Sequence, residues 1–157
     1  ILLSIAIGAI GAVCLILFDF LYSSLINILA EIGLDLSSVI SDVVMQNQII
    51  RDADFIWVFL LIVLIVVGTF STEIVYRGVL HNALKQKFKN KIYIIIIVAL
   101  AYAILMLVLY PSPIYFFLNF IGFLIIGIIF EITNGNIYGT LVTNILYNIL
   151  IVALIFL

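Results

Sequence analysis

Residues Ile92–Leu109 read IYIIIIVALAYAILMLVL, an uninterrupted run with no charge, proline or glycine. Its length matches the roughly 17 to 25 apolar residues that an α-helix needs to cross a hydrocarbon core of about 30 Å. A strand of a membrane β-barrel would alternate apolar and polar positions, and this run does not. A helix, by contrast, satisfies its own backbone hydrogen bonds in lipid. Working outward, the same reading predicts spans at Ile1–Phe18, Phe55–Phe70, Ile92–Tyr110, Ile114–Phe130 and Ile137–Leu157. The composition agrees, with 68% hydrophobic and 9% charged residues against about 25% charged in soluble domains, which excludes a soluble enzyme or binding module. The predicted fold class is all-α: a polytopic transmembrane helical bundle of five spans, forming one membrane domain over residues 1–157.

Charge sets the expected orientation. Lys85, Lys87, Lys89 and Lys91 crowd one short connection, whereas the connection from Asp19 to Asp54 carries six acids and only Arg51. The positive-inside bias puts the Lys85–Lys91 loop and the amino terminus in the cytoplasm of a cell-membrane protein, and the acidic connection outside. Nothing at the start has the basic flank and cleavage site of a signal peptide, so the first apolar run is expected to be a retained span. In the acidic connection Leu25, Ile28, Leu29, Ile32, Leu36, Val39, Ile40 and Val43 recur at helical spacing, which predicts an amphipathic outer helix bent or broken at Gly33. Tight turns are expected at Pro111–Ser112–Pro113 and Asn134–Gly135–Asn136. A net charge of −2 gives no reason to expect nucleic acid. A single cysteine, Cys14, can form no internal disulfide, and neither a metal nor a cofactor is expected.

Ionisable and amide side chains at membrane depth are costly, and each marks a candidate site. The segment Ser71–Gly78, STEIVYRG, places Glu73 and Arg77 four apart, so on a helix they share a face and neutralise each other. Such a pair either holds helices in register or takes part in chemistry. The same step continues to His81 and Lys85, with His81 expected at the interface. In the last span Thr140, Asn144 and Asn148 also follow at intervals of four, a polar face that must point into the bundle. Its amides either bond between helices or donate to a substrate carbonyl, as in an oxyanion hole.

These segments together resemble the CAAX protease and bacteriocin-processing membrane family, also called CPBP or Abi. Its signature is a Glu-Glu-x-x-x-Arg segment, then Phe-x-x-x-His in the next span, then His-x-x-x-Asn after a glycine- and asparagine-rich turn. Here T72-E-I-V-Y-R77 with Gly78, Y102-A-I-L-M106, and N144-I-L-Y-N148 after N134-G-N-I-Y-G139 stand in the same order over roughly residues 66–150. The resemblance implies an intramembrane endopeptidase whose first Glu and histidine activate water while the third motif holds the oxyanion. It also implies departures: Thr72 stands for that Glu, Met106 for the first His and Asn144 for the second, with Glu73, Arg77 and Asn148 in register. Neither a hydroxyl nor a thioether works as a general base near neutral pH.

The candidate polar core is therefore Thr72, Glu73, Arg77, Met106, Asn144 and Asn148, none of them assigned as catalytic. The favoured expectation is a catalytically silent family member, acting in the bilayer as partner, scaffold or bacteriocin self-immunity factor with a membrane protein or peptide. The richness in Ile, Asn and Lys fits an AT-rich bacterial source. A divergent endopeptidase using Glu73, Asn144 and Asn148 is the alternative. A third is a small transporter or channel subunit with Glu73 and Arg77 lining a water path.

Overall fold

A computed structural model describes all residues, Ile1–Leu157. It is helical throughout: α1 (Leu2–Glu31), α2 (Ser37–Arg51), α3 (Phe55–Glu73), a π-helical stretch (Ile74–His81), α4 (Asn82–Lys87), α5 (Lys91–Leu109), α6 (Pro113–Ile132) and α7 (Ile137–Ile155). From α3 to α4 the chain is one rod, Phe55–Lys87, so five helices are long and apolar enough to cross a membrane, as the apolar runs predict.

Two boundaries differ from the sequence reading. The first helix does not stop at Phe18 but runs to Glu31, because no proline or glycine lies between Phe18 and Gly33, whose φ of +102° ends it. Leu25, Ile28, Leu29 and Ile32 thus belong to α1 or its end, and the separate surface helix is only α2. The second span likewise continues through the π-helical stretch to Lys87 instead of ending at Phe70.

Lipid takes the place of water around the bundle. Phe55, Ile56, Trp57, Leu64 and Val67 of α3 are exposed, as befits a helix whose apolar side chains meet acyl chains. Inside, Leu15, Ile94, Val98, Ala99, Phe123 and Ile126 form the apolar core, with α1 seated along α7 and α5 along α6. Close approach of α1 to α7 depends on small residues. A Cβ at Gly8 would strike the Gly139 carbonyl oxygen, and the Thr143 hydroxyl donates to the Gly8 carbonyl at 2.9 Å.

Both expected turns form. At the Lys85–Lys91 end, Asn134 and Gly135 take φ of +55° and +78°, and the Gly135 N–H donates to the Phe130 carbonyl at 2.8 Å. Asn136 then caps α7, its Oδ1 accepting from the Tyr138 N–H at 3.0 Å, while its Nδ2 donates to Ser4 Oγ at 3.0 Å and pins the start of α1. At the opposite end Pro113 opens α6, and Tyr22 Oη donates to the Ile114 carbonyl at 2.5 Å. There α2 folds back over the bundle, and Arg51 Nε donates to the Ile155 carbonyl at 2.6 Å near the end of α7. Asp35 steadies the start of α2, with Oδ1 accepting from Ser37 Oγ at 2.7 Å and from its N–H at 3.3 Å. Those two bonds hold its carboxyl below the usual aspartate range.

Candidate functional site

Four residues of α-helix advance about 400°, so side chains spaced by four drift around the axis by about 40° per step. The π-helical stretch widens the turn over Ile74–His81 and offsets that drift. Glu73, Arg77 and His81 are consequently all fully buried on one inward face. π-helical turns are rare and are frequent at functional sites.

Arg77 is the largest fully buried side chain in the protein. Its Nη2 donates to the Phe123 carbonyl of α6 at 3.0 Å, and its guanidinium carbon lies 4.3 Å from the Phe123 ring centroid. The ion pair with Glu73 is longer than a hydrogen bond, with Nε 3.8 Å from Oε2. Arg77 thus joins two helices as well as neutralising a carboxylate. Gly127 makes room for it: a Cβ there would lie 3.5 Å from Arg77 Nη1 and 2.7 Å from Ile95 Cγ2.

The other Glu73 oxygen faces α7. Asn144 Nδ2 donates to Glu73 Oε1 at 3.3 Å, and Asn148 Nδ2 donates to the Asn144 carbonyl at 2.7 Å and to its Oδ1 at 3.0 Å. Amide, amide, carboxylate and guanidinium thereby form a continuous polar chain from α7 to α3 and on to α6. The inward direction of the Thr140, Asn144 and Asn148 face is as the sequence requires. Thr140, fully buried, donates to the Ile137 carbonyl at 3.0 Å.

Beside Asn144 and Asn148 lies a cavity of about 160 Å³, whose walls include Asn119, Tyr102, Phe123 and Tyr147. Since a water occupies about 30 Å³ of liquid, it has room for about five waters or one side chain. Tyr102 stacks on Phe123 with centroids 3.9 Å apart, and Tyr76 meets both rings edge-on at 5.3 Å. Thr72 and Met106 stand apart from this arrangement. Both are partly buried, neither side chain makes a hydrogen bond, and neither lines the cavity. The structure therefore assembles Glu73, Arg77, Asn144 and Asn148, and leaves the other two candidates at its margin.

His81, expected at the interface, packs inside the protein at the lysine-rich end of the rod. Its side chain is fully buried, and Nε2 lies 2.8 Å from Glu131 Oε1. Glu131, at the end of α6, also takes Lys85 Nζ on Oε1 at 2.6 Å and Lys91 Nζ on Oε2 at 3.0 Å. One carboxylate thus ties the π-helical stretch, α4, α5 and α6 together, and it was not among the sequence candidates. The rule that flagged Glu73, an ionisable group at a span's apolar edge, applies equally to Glu131. No three His, Cys, Asp or Glu side chains gather as a metal cluster.

Residues 54–150 match the Type II CAAX prenyl endopeptidase Rce1-like family. The chain belongs to this family. The matched stretch runs from the start of α3 into α7 and includes the whole of the Glu73, Arg77, Asn144 and Asn148 arrangement. In this Rce1-like protein α1 and α2 lie outside the match, although α1 packs against α7 within it. No curated protein and no solved structure matches the chain.

Proposed function

We propose that this Rce1-like chain is a catalytically silent membrane protein that binds a membrane protein or peptide partner and does not cleave it. One observation carries the reading: the Glu73 carboxylate is fully buried between Arg77 and the Asn144 amide, with no second acid or base beside it. General-base hydrolysis needs an acceptor within hydrogen-bond reach of an attacking water, and a partner to move its proton. At the positions where the family motifs carry Glu, His and His, this chain carries Thr72, Met106 and Asn144. The one histidine, His81, is committed to Glu131.

Binding is what remains for the polar wall. Asn119, Asn144 and Asn148 offer amide donors and acceptors to an extended backbone, and Tyr102 and Tyr147 offer ring faces. In this role the protein would act as a scaffold, as a partner of a membrane enzyme or as a self-immunity factor against a membrane-active peptide. The Lys85–Lys91 end faces the cytoplasm. One feature favours a second reading, a divergent endopeptidase: the Asn144 amide adjoins both Glu73 and the cavity, where it would serve as an oxyanion donor.

Glu73→Gln separates the two. It keeps shape and hydrogen-bonding capacity while removing the carboxylate. At equal amounts of folded protein, partner retention in mild detergent should survive the change. Loss of biological activity with partner binding intact would contradict the silent reading.

A further inference from the structure

The end of the bundle that carries α2 holds a second, larger cavity that no part of the Glu73 arrangement uses. It measures about 820 Å³ and lies among α1, α2, the start of α6 and the end of α7. That size falls within the roughly 300 to 1,000 Å³ typical of small-molecule sites. Leu118 and Tyr147 line both cavities, so the two adjoin, and we term the larger one the vestibule.

Its lining has a definite charge. Asp19 of α1 and Asp52 after α2 are acids, and Arg51 is the only base. The Arg51 Nε is committed to the Ile155 carbonyl at 2.6 Å. Asp19 has no ion-pair partner, and its carboxylate takes part in none of the side-chain hydrogen bonds that brace α1, such as Tyr22 to Ile114. Asp19 is half-buried on a spanning helix, where an unpaired carboxylate is costly unless something compensates it. The same cavity is lined by Tyr22 and Tyr147, whose ring faces attract cations, and by Asn47 and Gln48 of α2, whose carbonyls accept from N–H donors.

We infer that the vestibule is a binding site for a primary ammonium on a short aliphatic stem, with Asp19 as its counter-ion and α2 as its outer wall. The ammonium would arrive either as a free amine or as a lysine side chain of an extended peptide. Its binding does not depend on whether the Glu73 arrangement is silent or active, because Asp19 and α2 lie outside that arrangement.

Isothermal titration of the full chain in a neutral maltoside detergent tests this with three probes: butylammonium, acetyl-Gly-Lys-Gly-amide and the same peptide with norleucine for lysine. Saturable binding of at least one ammonium probe is expected, with none of the norleucine peptide. Equal affinity for the two ammonium probes would identify a free amine as sufficient, and tighter peptide binding would identify a peptide ligand. Asp19→Asn, which preserves size, should weaken binding at least about 10-fold, the effect of losing roughly one charge-assisted contact. Asn47→Leu, on the α2 wall and outside the spanning helices, should weaken it with the bundle's melting unchanged, which guards against misfolding of the Asp19 variant. No saturable ammonium binding, equal binding of the norleucine peptide, or undiminished binding by folded Asp19→Asn would overturn the site.

Discussion

Asn144 on α7 donates its side-chain amide to the Glu73 carboxylate at 3.3 Å, across 71 positions of sequence. The bond links the last span to the rod that carries Arg77, and both charged side chains are fully buried. Stranding either charge is costlier than removing both, at about 3 to 5 kcal/mol for a broken buried pair. Arg77→Ala should therefore lower the detergent melting temperature far more than Glu73→Gln combined with Arg77→Met. Parental melting of Arg77→Ala would mean that the pair is not buried.

Glu131 should matter more than any one of its partners. It is about nine-tenths buried and takes three nitrogens, whereas the Lys91 side chain is 64% exposed. Hydrogen bonds to buried charged groups contribute about 1.5 to 3 kcal/mol, and exposed ion pairs about 0 to 1. Glu131→Gln should destabilise by the larger amount and Lys91→Ala by the smaller. Chemical denaturation in mixed micelles would rank them, and the reverse order would contradict the network.

Glycines at two depths give a contrast that depends on geometry alone. Gly8→Ala drives a methyl into the Gly139 carbonyl, which cannot swing aside, and overpacking of this kind costs about 1 to 3 kcal/mol. Gly68→Ala meets nothing within 4 Å and gains helix propensity of up to about 1 kcal/mol. Opposite shifts in melting temperature are expected, and equal ones would deny the close α1–α7 approach.

Orientation is open to direct labelling. In a chain whose Cys14 is replaced by alanine, a cysteine at Ser41 on α2 should react with an impermeant thiol reagent in intact cells. One at Gln86, in the lysine-rich end of the rod, should not react until the membrane is permeabilised. The opposite pattern would invert the topology.

Apolar length alone made the five spans legible, and the Asn144 face was legible because its spacing leaves no lipid-tolerant alternative. Three features were not. The reach of α1 past Phe18 depends on the absence of a breaker, while the amphipathic spacing of Leu25 to Val43 ran across Gly33 and hid the boundary at which the helix stops. The π-helical stretch has no sequence signature of its own, so the burial of His81 on the face of Glu73 and Arg77 could not be read from spacing. Glu131 escaped notice because its partners lie 46, 50 and 40 positions away, on other elements. Thr72 and Met106 entered as motif positions, and a motif carries no information on whether a substituted residue still faces the site.

Peptide-bond hydrolysis by the purified protein tests the silent reading most directly. The parent, Glu73→Gln, and a variant rebuilt with Thr72→Glu, Met106→His and Asn144→His would be reconstituted in liposomes at equal folded amounts. Each would be incubated with a prenylated peptide ending in a CAAX sequence and with a mixed peptide library, and products read by mass spectrometry. The parent should leave every peptide intact, and its spectra should match those of Glu73→Gln. Products formed by the parent and reduced about 100-fold or more in Glu73→Gln, the scale of a lost general base, would contradict it.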